Sequence, residues 1–150
     1  MKPDGMMPKK ENISKEGDSM KQKISRKQRK HLLYAQQGEL DAVLMYERLA
    51  KRVRHQRDAE AFRRLAADEN RHASVFFELT GKTLKPRKTK AVFVPLLYTL
   101  IGRKKRYPII AKNEYSAAEK YEGLIGAFPQ VERVKNDETH HGDAVLSLLK

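Results

Sequence analysis

Glu69-Asn70-Arg71-His72 and Glu138-Thr139-His140-His141 both read E-x-x-H, and an aspartate stands directly before each, Asp68 and Asp137. Glu39 lies upstream of the first copy with Tyr46 seven residues on, and Glu114 lies upstream of the second with Tyr121 seven residues on. The chain thus carries one set of carboxylates and imidazoles twice. Four glutamates and two histidines are the ligand inventory of a two-metal site inside a four-helix bundle.

The apolar residues around both motifs repeat with helical period. Phe62, Leu65, Glu69, His72, Phe76 and Leu79 form one stripe, and Val131, Val134, Glu138, His141, Val145 and Leu148 form the other. A constant offset of 69 residues relates the two at every position. This is an internal repeat of a helix pair. Asp137 and His140 are also three apart, but the apolar positions select Glu138 and His141 and turn His140 to solvent.

Working outward, a first helix is predicted from Ser25, with Leu32, Gln36, Glu39, Val43, Tyr46, Ala50 and Val53 on its inner face. The second starts near Arg57 and stops at Gly81, a residue suited to a helix C-terminus. Residues 81 to about 107 contain Pro86, Pro95, Gly102 and then Pro108, and break the pattern; Val92–Ile101 within them forms either a short helix or an apolar strap. That segment is long enough to run the length of a bundle, which makes the second and third helices parallel. The third is expected from about Pro108 to Ala127, because proline is favoured at a helix start. It presents Ile110 or Ala111, Glu114, Ala117, Tyr121 and Leu124 inward, and Pro129 opens the fourth. The expected fold is all-α, an antiparallel four-helix bundle of two helix pairs joined by a long crossover. Residues 25–150 form it, and residues 1–24, without periodicity, are expected to be a disordered basic tail.

The chain of 150 residues has no cysteine, which excludes disulfides and any Cys-ligated metal within it. Met1–Lys10 lacks the apolar core of a secretory signal, and a cytoplasmic location is the expectation. The longest apolar run, Ala91–Ile101, is far short of the about 20 residues that a transmembrane helix needs. The net charge is +13 and sits mainly on the folded part, in the clusters Arg26–Lys30, Lys51–Arg57, Lys82–Lys90 and Arg103–Arg106. Such a surface is either simply well solvated or attracts polyanions weakly. No nucleic-acid-binding motif accompanies it.

On a helix, residues three apart share a face, so Glu69 and His72 reach one ion and Glu138 and His141 another. A glutamate inside an apolar stripe is costly unless its charge is balanced. Four of them repel and protonate if left alone. Two divalent cations neutralise four carboxylates, so charge balance selects two metals over one. Oxygen and imidazole ligands suit iron, manganese or zinc. Asp68 and Asp137 are placed to accept a hydrogen bond from the histidine of the facing helix, which pairs Asp68 with His141 and Asp137 with His72. Tyr46 and Tyr121 are either core aromatics or hydrogen-bond donors to a carboxylate across the bundle. His31 and His55 have no carboxylate at ligand spacing, and Glu47, Glu119 and Glu122 point away from the stripes.

With these motifs the chain resembles the ferritin-like superfamily over roughly residues 28–149. It is most similar to the rubrerythrin-like branch, which includes domains fused to VIT-type iron and manganese transporters. The resemblance implies a di-iron centre cycling between Fe(II) and Fe(III), with dioxygen or hydrogen peroxide as oxidant and manganese as the alternative metal. The ligands it implies are Glu39, Glu69, His72, Glu114, Glu138 and His141, with Glu69 and Glu138 bridging. Full-length rubrerythrins carry a Cys-ligated iron that feeds electrons; this chain has none, so an external electron donor is implied. Rubrerythrin peroxidases usually have a second glutamate where this chain has Ala117, which is closer to the bacterioferritin pattern. No transporter segment follows Lys150, and the domain is expected to stand alone, with a homodimer as a further expectation. The alternative reading is a metal-binding protein whose main role is docking on nucleic acid or an anionic membrane, or an accessory to metal transport.

Overall fold

A computed structural model describes residues 24–150. Five helices follow one another: α1 Arg26–Arg52, α2 Gln56–Thr80, α3 Lys88–Ile101, α4 Arg103–Ile125 and α5 Val131–Ser147. There is no strand among the described residues. The tail expected over residues 1–24 lies outside the described residues except for Ile24, which packs against the core.

Local chemistry explains the helix ends. Ser25 caps α1 with a full capping box: its hydroxyl accepts from the Gln28 amide at 3.1 Å, and the Gln28 side chain accepts from the Ser25 amide at 2.9 Å. Gly81 closes α2 in the left-handed conformation at φ 62°, and its amide donates to the Phe77 carbonyl at 2.7 Å. The stop expected there is a stop.

Two boundaries differ from the sequence expectation. The stretch after Arg87 is a helix of 14 residues, α3, lying on α1. The next helix begins at Arg103, five residues before Pro108, and ends at Ile125. Gly102, at φ 78°, is the actual break. Pro108 sits in the second turn, where it deprives only the carbonyl of the exposed Lys104 of an intrahelical partner.

α1 packs on α2 and α4 on α5 as two hairpins. Phe62 stacks edge-on against Tyr107 near the starts of α2 and α4, and Phe76 meets Tyr121 toward their ends, so these helices run parallel. The segment from Gly81 through α3 carries the chain back between them. The result is the four-helix ferritin-like bundle, with α3 as part of the crossover.

The core is divided. One apolar cluster gathers Tyr46, Leu49, Phe62, Leu65, Tyr107, Ile110, Val145 and Leu148. The other gathers Leu32, Ala35, Phe76, Tyr121, Leu124, Phe128, Val131 and Val134. Between them lie Glu39, Glu69, His72, Glu114, Glu138 and His141, all buried. Both stripes of the repeat face inward, with only Leu79 left half-buried. Val43 of α1, Val53 just past its end and Ala117 of α4 are also half-buried rather than fully enclosed.

Candidate metal centre

Each of the four long helices contributes one glutamate to this polar layer, and α2 and α5 add a histidine each, one turn along. His72 Nδ1 lies 2.9 Å from Glu138 Oε1, 3.4 Å from Glu69 Oε2 and 3.5 Å from Glu39 Oε2. His141 Nδ1 lies 3.3 Å from Glu69 Oε1 and 3.4 Å from Glu114 Oε2. The two imidazoles stack with centroids 5.4 Å apart. Two overlapping sets of potential ligand atoms result, each drawn together within 4.8 Å: Glu39, Glu69, His72 and Glu138, and Glu69, Glu114, Glu138 and His141. Glu69 and Glu138 belong to both.

The outer nitrogens point the other way. His72 Nε2 lies 3.2 Å from Asp137 Oδ2, and His141 Nε2 lies 3.1 Å from Asp68 Oδ2. Each aspartate thus meets the histidine of the facing helix. A carboxylate on Nε2 holds a proton there, so in the neutral ring the Nδ1 lone pair faces the interior. The tyrosines are crossed in the same way: Tyr46 donates to Glu114 Oε1, and Tyr121 donates to Glu39 Oε1.

The electrostatics are those of crowded acids in a buried layer. Burial raises Glu69, and the charge of Glu39 adds to it, up to about 8. Burial and then the charge of Glu39 raise Glu138 to about 10. Burial also opposes charge on Glu39, but the neighbouring Glu69 and His72 side chains outweigh it and hold its pKa below the ordinary value. The same contest on His141 is won by the nearby Glu114 and Glu69 carboxylates, which lift it to about 11. Protons shared among these groups offset the carboxylate charge when they act alone; a cation does so more completely.

Five buried atoms in the layer have no hydrogen-bond partner: Glu69 Oε1, His72 Nδ1, Glu114 Oε2, Glu138 Oε1 and His141 Nδ1. Unpaired buried polar atoms are rare and costly. That they converge from three helices on one layer fits metal coordination, and the oxygen-and-imidazole donor set fits iron, manganese or zinc.

A cavity of about 680 Å³ opens on this layer between α1 and α4. Gly38, Ala42 and Ala117 line it, and Glu39, Glu69 and Glu138 reach it from the bundle side. The small side chain of Ala117 leaves the approach unobstructed. His31 stands in the cavity wall, exposed. His55, His140, Glu47, Glu119 and Glu122 are exposed and away from the layer.

Sequence reasoning missed a second buried polar group at one end of the bundle. Asp58 is fully buried, accepts from the Tyr107 hydroxyl, and pairs with Arg103 at 3.0 Å. Asp58 lies four positions before Phe62 on the α2 stripe, and this alignment was the available signal. The half-buried contact of Asp41 with the Arg87 amide at 2.7 Å and guanidinium at 2.8 Å was missed as well.

Fold and site together define an all-α bundle with a buried carboxylate–imidazole centre at mid-height. Residues 30–149 match the family model described as Rubrerythrin, and the chain belongs to that family of ferritin-like di-iron domains. No match was found among curated proteins, and none among solved structures.

Proposed function

We propose that the protein is a non-haem di-iron oxidoreductase that oxidises Fe(II) or reduces hydrogen peroxide or dioxygen. The observation that carries this reading is the set of five orphaned buried donor atoms, supplied by α2, α4 and α5 and facing one another. Glu39, Glu69, His72, Glu114, Glu138 and His141 would hold two metal ions, and Glu69 and Glu138 are common to both sets. The rubrerythrin family favours iron, with manganese as the alternative. A metal pair held there would supply one-electron redox chemistry at each ion, with reducing equivalents from an external donor.

The chain's own residues do the rest. His72 and His141 present Nδ1 inward while Asp137 and Asp68 hold the Nε2 protons, so that when a metal ion displaces the proton from Nδ1 the ring stays oriented with its lone pair on the ion. Tyr46 and Tyr121 restrain Glu114 and Glu39 through their hydroxyls, leaving the second oxygen of each carboxylate to face the interior. The apolar clusters at both ends exclude water along the bundle axis. The α1–α4 cavity is the approach for the oxidant.

Rapid mixing of the ferrous-loaded protein with hydrogen peroxide or dioxygen tests this. Oxidant should disappear faster than with the same iron free in solution, and a Glu69→Ala, Glu138→Ala variant should lose the difference. Iron held tightly with no acceleration against either oxidant would contradict an oxidoreductase and leave a metal-binding protein.

A further inference from the structure

Helix α3 leaves an apolar face uncovered. Val92, Phe93, Leu96, Leu97 and Leu100 are all exposed, Phe93 by 68%, Leu97 by 57% and Leu100 by 76%. At about 100° per residue these positions share an arc of roughly 140° on one side of the helix. Single exposed leucines are ordinary, but a continuous apolar helix face marks a contact surface.

The charges around it have one sign. Every charged residue between Glu78 and Glu114 is Lys or Arg. Lys82, Lys85 and Lys88 are exposed at one end of α3, and Lys104 and Lys105 at the other. The two arginines nearest the helix ends are drawn inward: Arg87 by Asp41 at 2.7 Å and Arg103 by Asp58 at 3.0 Å. Those ion pairs tie both ends of α3 to the bundle and leave its apolar side and outer lysines facing solvent.

We propose that α3 is an interfacial docking helix that lies in the headgroup region of an anionic lipid surface. Its apolar side would enter the acyl boundary, with the flanking lysines on lipid phosphates. Fourteen residues are too few to cross a bilayer, so the helix lies in the plane. A second copy of the chain is the weaker occupant on charge grounds. Antiparallel pairing of two α3 helices sets Lys104 and Lys105 against the Lys82–Lys88 end, and parallel pairing sets each cluster against itself. A nucleic acid would satisfy the lysines but leave Phe93, Leu97 and Leu100 in water.

Flotation of the full chain with phosphatidylcholine vesicles, with and without phosphatidylglycerol, tests the proposal. The protein should float only when phosphatidylglycerol is present. Leu97→Ser, Leu100→Ser should reduce the bound fraction by roughly tenfold at unchanged helix content, as should Lys104→Glu, Lys105→Glu. Phe93→Ser serves as an independent variant should the double substitution disturb folding. Failure of the wild type to float overturns the proposal. So does flotation indifferent to the apolar substitutions, which would be charge attraction alone. Light scattering showing a dimer that Leu97→Ser, Leu100→Ser dissociates, without vesicle binding, would assign the face to a second copy instead.

Discussion

His72 of α2 and Asp137 of α5 face each other across the bundle, with Nε2 3.2 Å from Oδ2, and His141 and Asp68 repeat the relationship at 3.1 Å. The motif that supplies one histidine therefore supplies the aspartate that orients the other. Asp137→Asn should weaken metal binding about 10- to 100-fold. Asp68→Asn should do the same, because the two arrangements are equivalent by the internal repeat. Competition titration with a chromophoric chelator checks both. Unchanged affinity in either variant would mean that the aspartates do not tune the imidazoles.

Tyr46 and Tyr121 donate to Glu114 and Glu39 from within the two apolar clusters. Replacing either by Phe leaves the ring packing and removes a bond to a carboxylate. Each variant should lose about 1.5 kcal/mol of stability in the absence of metal. Urea denaturation of chelator-treated protein measures it, and a Phe variant as stable as the wild type would show that the hydroxyls are incidental.

The Asp58–Tyr107–Arg103 group should matter for folding and not for metal. Asp58→Ala leaves a tyrosine hydroxyl and part of an arginine without their partner and opens a gap beside Phe62. The expected loss is about 3 kcal/mol. Metal stoichiometry should stay unchanged once the variant is folded. Thermal unfolding and metal analysis together check the separation.

Gly142, next to His141, lies against the ring of Tyr115: an added Cβ would stand 2.5 Å from its nearest ring carbon. Gly142→Ala must swing that ring away and break the Tyr115 bond to Asp143, which is 2.6 Å long. The expected cost is about 1 kcal/mol. A variant of unchanged stability would mean that the ring has room to yield.

Much of this was legible because helices impose a fixed period. Once Glu69 and His72 shared a stripe with Phe62, Leu65 and Phe76, the same stripe around Glu138 and His141 set the repeat, and the repeat implied facing partners. The crossed contacts of Asp68, Asp137, Tyr46 and Tyr121 follow from that symmetry. What the sequence concealed lies outside the repeat. Pro108 suggested a helix start, but a proline in the second turn costs little when the carbonyl it leaves unpaired belongs to an exposed residue, so Gly102 set the boundary instead. Pro95 left a short helix and an apolar strap equally open over Val92–Ile101, and α3 forms there and extends back to Lys88. The burial of Asp58 was hidden because its partners, Tyr107 and Arg103, lie some 45 residues away on a segment expected to lie before the helix start. The α1–α4 cavity depends on small residues, Gly38, Ala42 and Ala117, whose alignment across two helices no local pattern reveals.

The central claim is that the buried layer is one two-metal centre, and an anaerobic Fe(II) titration of the chelator-treated protein tests it most directly. Binding should saturate close to two ions per chain, and a Glu69→Ala, Glu138→Ala variant should lose both ions together, because those carboxylates belong to both ligand sets. Saturation at one ion or fewer, or a double variant that still binds two, would contradict it.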